Sequence, residues 1–424
     1  MKVCLKKSEI SGAVTPPASK SMAHRALICA ALASGESVLK GVSISKDILA
    51  TIGGLRQIGA KIQIDGDTVQ VIGTGNTINS PKNIIDCNES GSTLRFFIPL
   101  FSMCNSKVEF TGASTLLSRP QGVYQTLFDA NHVEFIQDVD KICVNGALDA
   151  GNYTMRGDVS SQFITGLLYA LALCGDDSTI QITEPFESRS YVELTIEAMA
   201  DFGVEVLWED QNTLSIKGGQ KFTAQNYRVE ADWSQTAFWA VLGAVKGHLT
   251  IKGVRQESKQ GDKVILDILK RCGANFVIEK DSISFQSASL KAVEIDLADC
   301  PDLGPILMVL ALFCQGETII RNAGRLRVKE SDRIAAMQAE CAKMGGTIQC
   351  VEDTLYIKNT NIVGVDTLES HNDHRIVMSM CVAALCSDNQ ITMENAQAVQ
   401  KSYPKFFEDL EEIGGKLSCD HAEH

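Results

Sequence analysis

The chain has 424 residues, 45% of them hydrophobic and 21% charged, with a formal net charge of −13 at pH 7. A nucleic-acid surface must neutralise many phosphates, so this acidic balance argues against such a partner. The start, MKVCLKK, has no apolar signal core, and the longest apolar runs, near 163–175 and 303–314, are shorter than the roughly 18–20 residues of a membrane span. The fourteen cysteines include no Cys-x-x-Cys pair. We therefore expect a soluble protein of the reducing cytoplasm.

Along the chain, a helical pattern ends six times at a Gly or Asn and is followed by a strand, a polar turn and a second strand. The six stops are spaced by 69–72 residues and are Gly59, Asn131, Gly203, Gly273, Gly345 and Gly414. Both residue types tolerate the positive φ that ends a helix, so Asn131 fits the series. Only the last copy lacks its second strand. Six such units predict an α/β protein with two lobes of three copies each.

In the first three repeats, a polar turn precedes each apolar helix. Lys20, Gly91 and Ser161 stand 71 and 70 residues apart, so a pseudo-threefold arrangement would place these turns on one face. Helix N-termini offer free N–H groups, here beside hydroxyls and a lysine, which predicts an anion site. Arg119, in LLSRPQG, adds a cation. The alternative is that Ser160 and Ser161 are helix caps without a ligand.

The matching turns of the last three repeats carry different chemistry. Ser234, Asp302 and His374 stand 68 and 72 residues apart, and Arg375 follows the histidine. Asp302 has an alternative reading as a helix N-cap. His371 and His374 form an H-x-x-H spacing, but no third ligand pattern accompanies them, so we expect no metal.

The densest charged segment is GRLRVKESDRIAAMQAECAKMGG, residues 324–346. Its apolar residues follow a helical spacing at Ile334, Met337, Cys341 and Met344. The pattern predicts an amphipathic helix whose first turns carry Lys329, Glu330 and Arg333 on one face. A solvated charged face is the alternative.

Nine segments together resemble the 5-enolpyruvylshikimate-3-phosphate synthase family over nearly the whole chain. In the family's order they are SKSMAHRAL (19–27), ESGSTLRF (89–96), SRPQG (118–122), GDVSSQF (157–163), SRSYVELT (188–195), PDLGP (301–305), RVKESDRI (327–334), NDHRIVM (372–378) and KSYPKFFEDL (401–410).

The resemblance implies a shikimate-pathway transferase of the cytoplasm. It would join shikimate 3-phosphate to the enolpyruvyl group of phosphoenolpyruvate and release phosphate through a tetrahedral intermediate, without a cofactor or metal. The family fold has two lobes, each of three βαβαββ repeats, in an inside-out α/β barrel of the enolpyruvyl transferase type. By motif position, 1–18 plus 231–424 would form one lobe, with acid-base and phosphoenolpyruvate residues, and 19–230 the other, with the shikimate 3-phosphate turns. A monomer is the family expectation.

The resemblance also assigns site residues. Those expected to bind shikimate 3-phosphate are Lys20, Ser21, Arg25, Ser160, Ser161, Gln162, Ser188, Tyr191, Asp302 and Lys329. Those expected at phosphoenolpyruvate are Lys20, Gly91, Arg119, Gln162, Arg333, His374, Arg375 and Lys401. Asp302 would exchange a proton with the 5-hydroxyl of shikimate 3-phosphate, whereas either Lys20 or Glu330 would protonate C3 of phosphoenolpyruvate. Glyphosate occupies the phosphoenolpyruvate site in this family, which makes the chain an expected target.

Two other functions compete with this reading. UDP-N-acetylglucosamine enolpyruvyl transferase has a similar fold and mechanism, but it carries a reactive cysteine after its Arg-Pro element, where this chain reads RPQGVYQTLFDAN. A non-catalytic binding protein is the second, although all expected acid-base positions are retained. Glu89 and Arg325 depart from the family pattern, so we carry over no contacts at those positions.

Overall fold

The computed structural model describes residues 1–387 and 389–420. The chain divides into two compact units. The middle unit is Ala18–Val229, and the terminal unit combines Met1–Pro17 with Glu230–His424. Among the described residues, every helix is too short or too polar to span a bilayer.

Twenty-four strands and thirteen α-helices make up the described chain. The strands are β1 (Lys2–Lys6), β2 (Ser11–Val14), β3 (Glu36–Lys40), β4 (Lys61–Asp65), β5 (Thr68–Ile72), β6 (Ile85–Asp86), β7 (Val108–Thr111), β8 (Glu134–Gln137), β9 (Ile142–Asn145), β10 (Asn152–Arg156), β11 (Ser178–Thr183), β12 (Val206–Trp208), β13 (Thr213–Ile216), β14 (Asn226–Arg228), β15 (His248–Lys252), β16 (Asn275–Ile278), β17 (Ser282–Gln286), β18 (Glu294–Asp296), β19 (Glu317–Arg321), β20 (Ile348–Val351), β21 (Thr354–Lys358), β22 (Thr367–Glu369), β23 (Ile391–Glu394) and β24 (Lys416–Asp420). The helices are α1 (Lys20–Leu32), α2 (Lys46–Gln57), α3 (Gly91–Ser102), α4 (Ser114–Leu117), α5 (Gly122–Ala130), α6 (Ser161–Leu171), α7 (Arg189–Asp201), α8 (Trp233–Lys246), α9 (Ile265–Cys272), α10 (Gly304–Phe313), α11 (Arg333–Lys343), α12 (His374–Leu385) and α13 (Phe406–Glu412).

Six four-stranded sheets repeat one topology, three in each unit. In the sheet β10-β11-β13-β12, the first two strands are parallel and the other neighbours are antiparallel. A helix connects the two parallel strands, because parallel neighbours need a crossover connection. A hairpin formed by the other two strands completes the sheet. Each repeat is thus a βαβαββ unit, as the resemblance implies.

Chain segments distant in sequence complete three of the six sheets. In the middle unit β14 lies parallel to β3, and in the terminal unit β2 lies parallel to β15. β1 lies between β23 and β24 and is antiparallel to both. The prediction that the last copy lacks its second strand is confirmed for the described chain, in which only β24 follows Gly414, and the N-terminal strand β1 takes the missing place in the sheet.

Five of the six helix stops have the left-handed conformation that the sequence predicts. Gly59, for example, has φ +109°. The prediction for Asn131 is wrong, because that residue has φ −108° and only caps α5. His132 is the left-handed residue instead, at φ +56°. The left-handed residue at the end of this helix therefore comes one residue later than the sequence pattern indicated.

The long apolar helices form the two cores. Nearly all residues of α1, α3 and α6 are buried in the middle unit, as are those of α8, α10 and α12 in the terminal unit. A helix that is apolar on every side needs such a position. Within α3, Pro99 cannot donate to the carbonyl of Arg95, and the hydroxyl of Tyr124 donates to it instead, at 2.5 Å.

Candidate functional site

Three helix starts carry the predicted anion-binding turns of the middle unit. Lys20, Gly91 and Ser161 are the first residues of α1, α3 and α6. Each helix is capped by the serine before it; the cap of α6 is Ser160, whose hydroxyl accepts a hydrogen bond from the N–H of Gln162 at 3.3 Å. Ser160 is therefore a helix cap, and its binding of a ligand stays a prediction. Ser161 stands inside the first turn and is 5% exposed.

Side chains connect the starts of α3 and α6. Gln162 donates to the hydroxyl of Ser92 at 3.0 Å and accepts from Arg95 at 2.9 Å, which fixes both ends of its amide. A Cβ built on Gly91 would lie 3.0 Å from Nη1 of Arg119 and 3.6 Å from Oε1 of Gln162. The structure therefore brings Gly91, Arg119 and Gln162 together.

Arg119 carries an unused donor in this group. Its Nε is buried and, among the residues that the structure describes, has no hydrogen-bond partner. A buried unpaired N–H is costly, so this donor is a candidate for contact with a bound anion.

Lys20, the first residue of α1, contacts α2. Its Nζ donates to Oδ2 of Asp47 at 2.9 Å, and the lysine and aspartate side chains are only 19% and 12% exposed. The backbone carbonyl of Asp47 in turn accepts from the hydroxyl of Thr93 at 3.5 Å.

Arg25 connects α1 to α7 from a buried position. Its guanidinium donates to the carbonyls of Ser21 and Tyr191, both at 2.8 Å, and to the hydroxyl of Thr195 at 2.9 Å. Ser188, which precedes α7, is buried and has φ +55°. Such strain in a residue with a side chain is often found at ligand sites.

In the terminal unit, Asp302 lies within a group of three cations. Its Oδ1 is 3.2 Å from both Lys329 Nζ and Arg333 Nη1, and its Oδ2 is 3.0 Å from Arg375 Nη2. Asp302 belongs to a 3-10 turn, Pro301–Leu303, that precedes α10, and Leu303 takes the cap position. The N-cap alternative for Asp302 is therefore wrong.

Arg333 is surrounded by carboxylates and is 1% exposed. Besides Asp302, it contacts Glu330 at 2.6 Å and Asp373 at 2.8 Å. Sequence reasoning missed Asp373, which also caps α12 by accepting from the N–H of Arg375 at 2.9 Å. Its position as a capping residue before the helix that starts with His374 was the available signal.

Burial and charge oppose each other in this cluster. Burial alone would raise the pKa of Asp302, but Arg375, Lys329 and Arg333 outweigh it and hold that pKa well below 3.8. Burial lowers the pKa of Lys329, whereas the pKa of Arg333 is raised because its carboxylate partners outweigh burial. In this state Asp302 is an ionised counter-ion and a weak base.

The predicted helix around the charged segment starts later than expected. α11 begins at Arg333, after the cap Asp332, so Lys329 and Glu330 lie in the loop that follows the 3-10 turn Gly324–Val328. Placing them in its first turns was wrong. Arg333 is buried, so the alternative of a solvated face also fails for it.

The remaining predicted residues lie around the start of α12. His374 is its first residue and is buried. Lys401 donates to the carbonyl of Asn372 at 2.6 Å. His371 instead contacts Glu340 at 2.9 Å, and within residues 1–387 and 389–420 no cluster of metal-ligating side chains occurs.

Comparisons with known proteins agree over nearly the full length. A sequence model of EPSP synthase (3-phosphoshikimate 1-carboxyvinyltransferase) matches residues 5–410. Proteins named 3-phosphoshikimate 1-carboxyvinyltransferase from Clostridium novyi (strain NT) and Clostridium beijerinckii are 40% and 41% identical, each with 96% of both chains covered.

Solved structures show the same architecture. EPSP synthase from Acinetobacter baumannii superposes with a TM-score of 0.84 at 25% identity, covering 98% of this chain and 99% of that one. The enolpyruvyl transferase NikO from Streptomyces tendae, at 16% identity and a TM-score of 0.81 over 98% of each chain, shares the fold. The chain belongs to the EPSP synthase (3-phosphoshikimate 1-carboxyvinyltransferase) family.

Proposed function

We propose that this chain transfers the enolpyruvyl group of phosphoenolpyruvate to the 5-hydroxyl of shikimate 3-phosphate and releases inorganic phosphate. Family membership over residues 5–410 supports the reaction class. The observation that carries the proposal is the group formed by Arg119 with Gly91 and Gln162, which stand at the starts of α3 and α6, where helix N–H groups favour an anion.

Hydroxyls of the middle unit would bind the 3-phosphate of shikimate 3-phosphate. Ser161 and Ser188 stand at the starts of α6 and α7, where free N–H groups and the helix dipole favour a phosphate. Ser160 caps α6 and precedes Ser161, so it is also expected at the 3-phosphate. Ser21 and Lys329 complete the residues expected to bind shikimate 3-phosphate here. Arg25 donates to the carbonyls of Ser21 and Tyr191 with two of its five N–H groups and to the Thr195 hydroxyl with a third, which holds these residues in place.

Cations would bind phosphoenolpyruvate. In the middle unit these are Lys20 and Arg119, with the N–H of Gly91; in the terminal unit they are Arg333, Arg375 and Lys401, beside His374. Arginine suits bidentate contacts with carboxylate and phosphate, and a lysine supplies a point charge that also moves a proton.

Asp302 would accept the proton of the 5-hydroxyl as it adds to C2 of phosphoenolpyruvate. The three cations now hold its pKa low, with burial opposing them. Once Lys329, Arg333 and Arg375 bind substrate anions, their attraction for Asp302 weakens and its pKa rises, so it becomes a better base. Lys20 and Glu330 are the two candidates for protonating C3 and taking the proton back as phosphate leaves.

Phosphate release measured with both substrates tests the proposal. We expect turnover that requires shikimate 3-phosphate and yields a product carrying the enolpyruvyl group by mass. Turnover with UDP-N-acetylglucosamine instead would favour the sugar-nucleotide enzyme, and binding without turnover would favour a non-catalytic protein. In D₂O, deuterium entering C3 in a Lys20→Met but not a Glu330→Gln variant would assign the donor to Glu330, and the reverse would assign it to Lys20.

The proposal also covers the cellular compartment and the assembly state. We place the enzyme in the cytoplasm as a monomer without cofactor or metal. All fourteen cysteines lie in the part of the chain that the structure describes, and all are free thiols. Free thiols suit a reducing compartment. Light scattering at assay concentration tests the monomer.

A further inference from the structure

Glu340 is a buried carboxylate that the proposed function does not use. It lies on α11, seven residues after Arg333, and both side chains are only 1% exposed. Seven residues are just short of two helical turns, so the two side chains lie on the same face of α11, about 10 Å apart along its axis. One face of α11 therefore carries both a cation of the candidate site and a second buried charge.

The contacts of Glu340 reach the segment that joins β22 to α12. Its Oε2 accepts from the backbone N–H of Glu369, the last residue of β22, at 2.9 Å, and its Oε1 lies 2.9 Å from Nε2 of His371. A carboxylate only accepts, so this ring nitrogen carries the proton. Lys343 supplies a counter-charge at 2.7 Å. A buried carboxylate needs such partners, and two of these three belong to the one segment.

The backbone of this segment is strained. His371 and Asn372 are consecutive residues in the left-handed region, at φ +51° and +54°. Each such residue with a side chain costs free energy, so its conformation persists only where surrounding contacts determine it. Ser370 supplies one contact from within, because its hydroxyl accepts from the N–H of Asn372 at 3.0 Å. Glu340 supplies two from outside, through Glu369 and His371.

The same segment controls three cations expected at phosphoenolpyruvate. The carbonyl of Asn372 accepts from Nζ of Lys401 at 2.6 Å. The next residue, Asp373, contacts Arg333 at 2.8 Å and accepts from the N–H of Arg375 at 2.9 Å. A shift of this backbone would therefore move all three cations together.

We propose that Glu340 is a positioning residue for the phosphoenolpyruvate site. It fixes the strained segment 369–373 and so places Lys401, Arg333 and Arg375, without touching the ligand itself. The identity of the ligand rests on the proposed function, whereas the contacts do not. Because binding groups must be held close to their productive geometry, loss of this carboxylate should weaken catalysis from a distance.

Steady-state kinetics of the full-length Glu340→Gln variant test the proposal. An amide has one acceptor oxygen where the carboxylate has two, so either the N–H of Glu369 or the ring of His371 loses its partner. We expect kcat/KM for phosphoenolpyruvate to fall by about 10–100-fold, mostly through KM. The KM for shikimate 3-phosphate should change far less, because most of its expected contacts are in the middle unit.

Cys341→Ala is the matched control. It changes the next residue of α11, which is also fully buried, and it removes a sulfur rather than a charge. We expect it to lower the melting temperature without raising the KM for phosphoenolpyruvate. An equal rise in KM for both variants would show that Glu340 has only a structural role, and an unchanged KM for Glu340→Gln would overturn the proposal.

His371 provides a second pair of variants in which the carboxylate stays. Its side chain is 33% exposed, so folding should tolerate changes there. His371→Gln keeps a donor for Glu340, whereas His371→Leu has none. We expect the leucine variant to raise the KM for phosphoenolpyruvate and the glutamine variant to stay near the wild-type value. Identical KM values for the two variants would contradict positioning through this contact.

Hydrogen exchange followed by mass spectrometry tests the contacts independently of turnover. In Glu340→Gln, the peptide 368–375 should exchange faster than in the wild type, whereas peptides of the middle unit should be unchanged. Unchanged exchange in 368–375 would overturn the proposal. Faster exchange in a protein whose wild type shows no turnover would refute the proposed function instead and leave Glu340 as the residue that positions this segment.

Discussion

Asp302→Asn removes one charge at nearly constant shape and tests the proposed base directly. The carboxylate lies 3.0–3.2 Å from three cations, and the substitution leaves Lys329 and Arg375 without this counter-ion. Arg333 keeps Glu330 and Asp373. Since the Asp302 side chain is 23% exposed, water offsets part of the loss, and we expect unfolding to become easier by about 1–3 kcal/mol.

Turnover and binding should change in opposite directions. Loss of a general base costs about 10²–10⁴-fold in kcat. The cations, however, no longer share their charge with Asp302, so phosphoenolpyruvate should bind more tightly. Two unit charges 4 Å apart interact by about 4 kcal/mol at an effective dielectric constant of 20. A tenfold decrease in Kd requires about 1.4 kcal/mol, which is roughly a third of that interaction energy.

Phosphate-release kinetics, calorimetric binding of phosphoenolpyruvate and thermal unfolding measure the three effects. Asp267→Asn is the matched control, because that carboxylate also pairs with an arginine at 3.1 Å but is 65% exposed. We expect it to behave like the wild type. A near-normal kcat for Asp302→Asn would refute its role as base, and weaker binding would refute the counter-ion argument.

The pH dependence of stability offers a second check on Asp302. Burial opposes the three cations, but the folded-state pKa is still well below 3.8. A lowered carboxylate pKa contributes stability above the unfolded pKa of about 3.9 and loses it as the pH falls toward the folded value. The stability difference between wild type and Asp302→Asn should therefore be full at pH 7 and shrink below about pH 4.

Substitutions at three further positions test the middle unit. Tyr124→Phe leaves the carbonyl of Arg95 without a donor and should cost about 1–3 kcal/mol in chemical unfolding; no loss would show that another donor replaces it. Gly91→Ala should move the Arg119 guanidinium by a few tenths of an ångström. The added methyl group should crowd glyphosate, the longer ligand, and raise its inhibition constant more than the KM of phosphoenolpyruvate. Equal increases would contradict this selective effect on glyphosate. Ser188→Ala and Ser188→Gly should both raise the KM for shikimate 3-phosphate, but the glycine variant should be more stable by about 1 kcal/mol because it accepts φ +55° without strain. Equal stability would contradict the strain.

Local patterns predicted the repeats and the helix starts. Lys20, Gly91 and Ser161 are each the first residue of a helix, because capping serines and apolar periodicity are signals within a few residues. The position of β1 between β23 and β24 was missed, since pairing across most of the chain leaves no local trace. Asn131 was misplaced because Asn is acceptable both as a cap and in the left-handed region, and only the backbone distinguishes the two.

Side-chain contacts were harder to predict than helix starts. The i, i+4 rule suggested that Lys329 and Arg333 share a helix face. Both do reach Asp302, but Lys329 does so from a loop. Asp373 was overlooked because a capping residue and a buried counter-ion look alike in sequence.

The ion pairs around Arg333 join equal numbers of positive and negative groups. Lys329, Arg333 and Arg375 face Asp302, Glu330 and Asp373, three positive groups against three negative ones. A balanced cluster can be buried, whereas three unpaired cations could not. An entering anion upsets that balance, so a carboxylate must then lose its partners or take up a proton. Asp373 is 0% exposed and caps α12, whereas Asp302 and Glu330 are both 23% exposed and make no cap. We therefore expect the change at Asp302 and Glu330, two of the three groups proposed to move protons. On the proposed mechanism, the ion pairs around Arg333 would thus also prepare the acid-base groups for substrate.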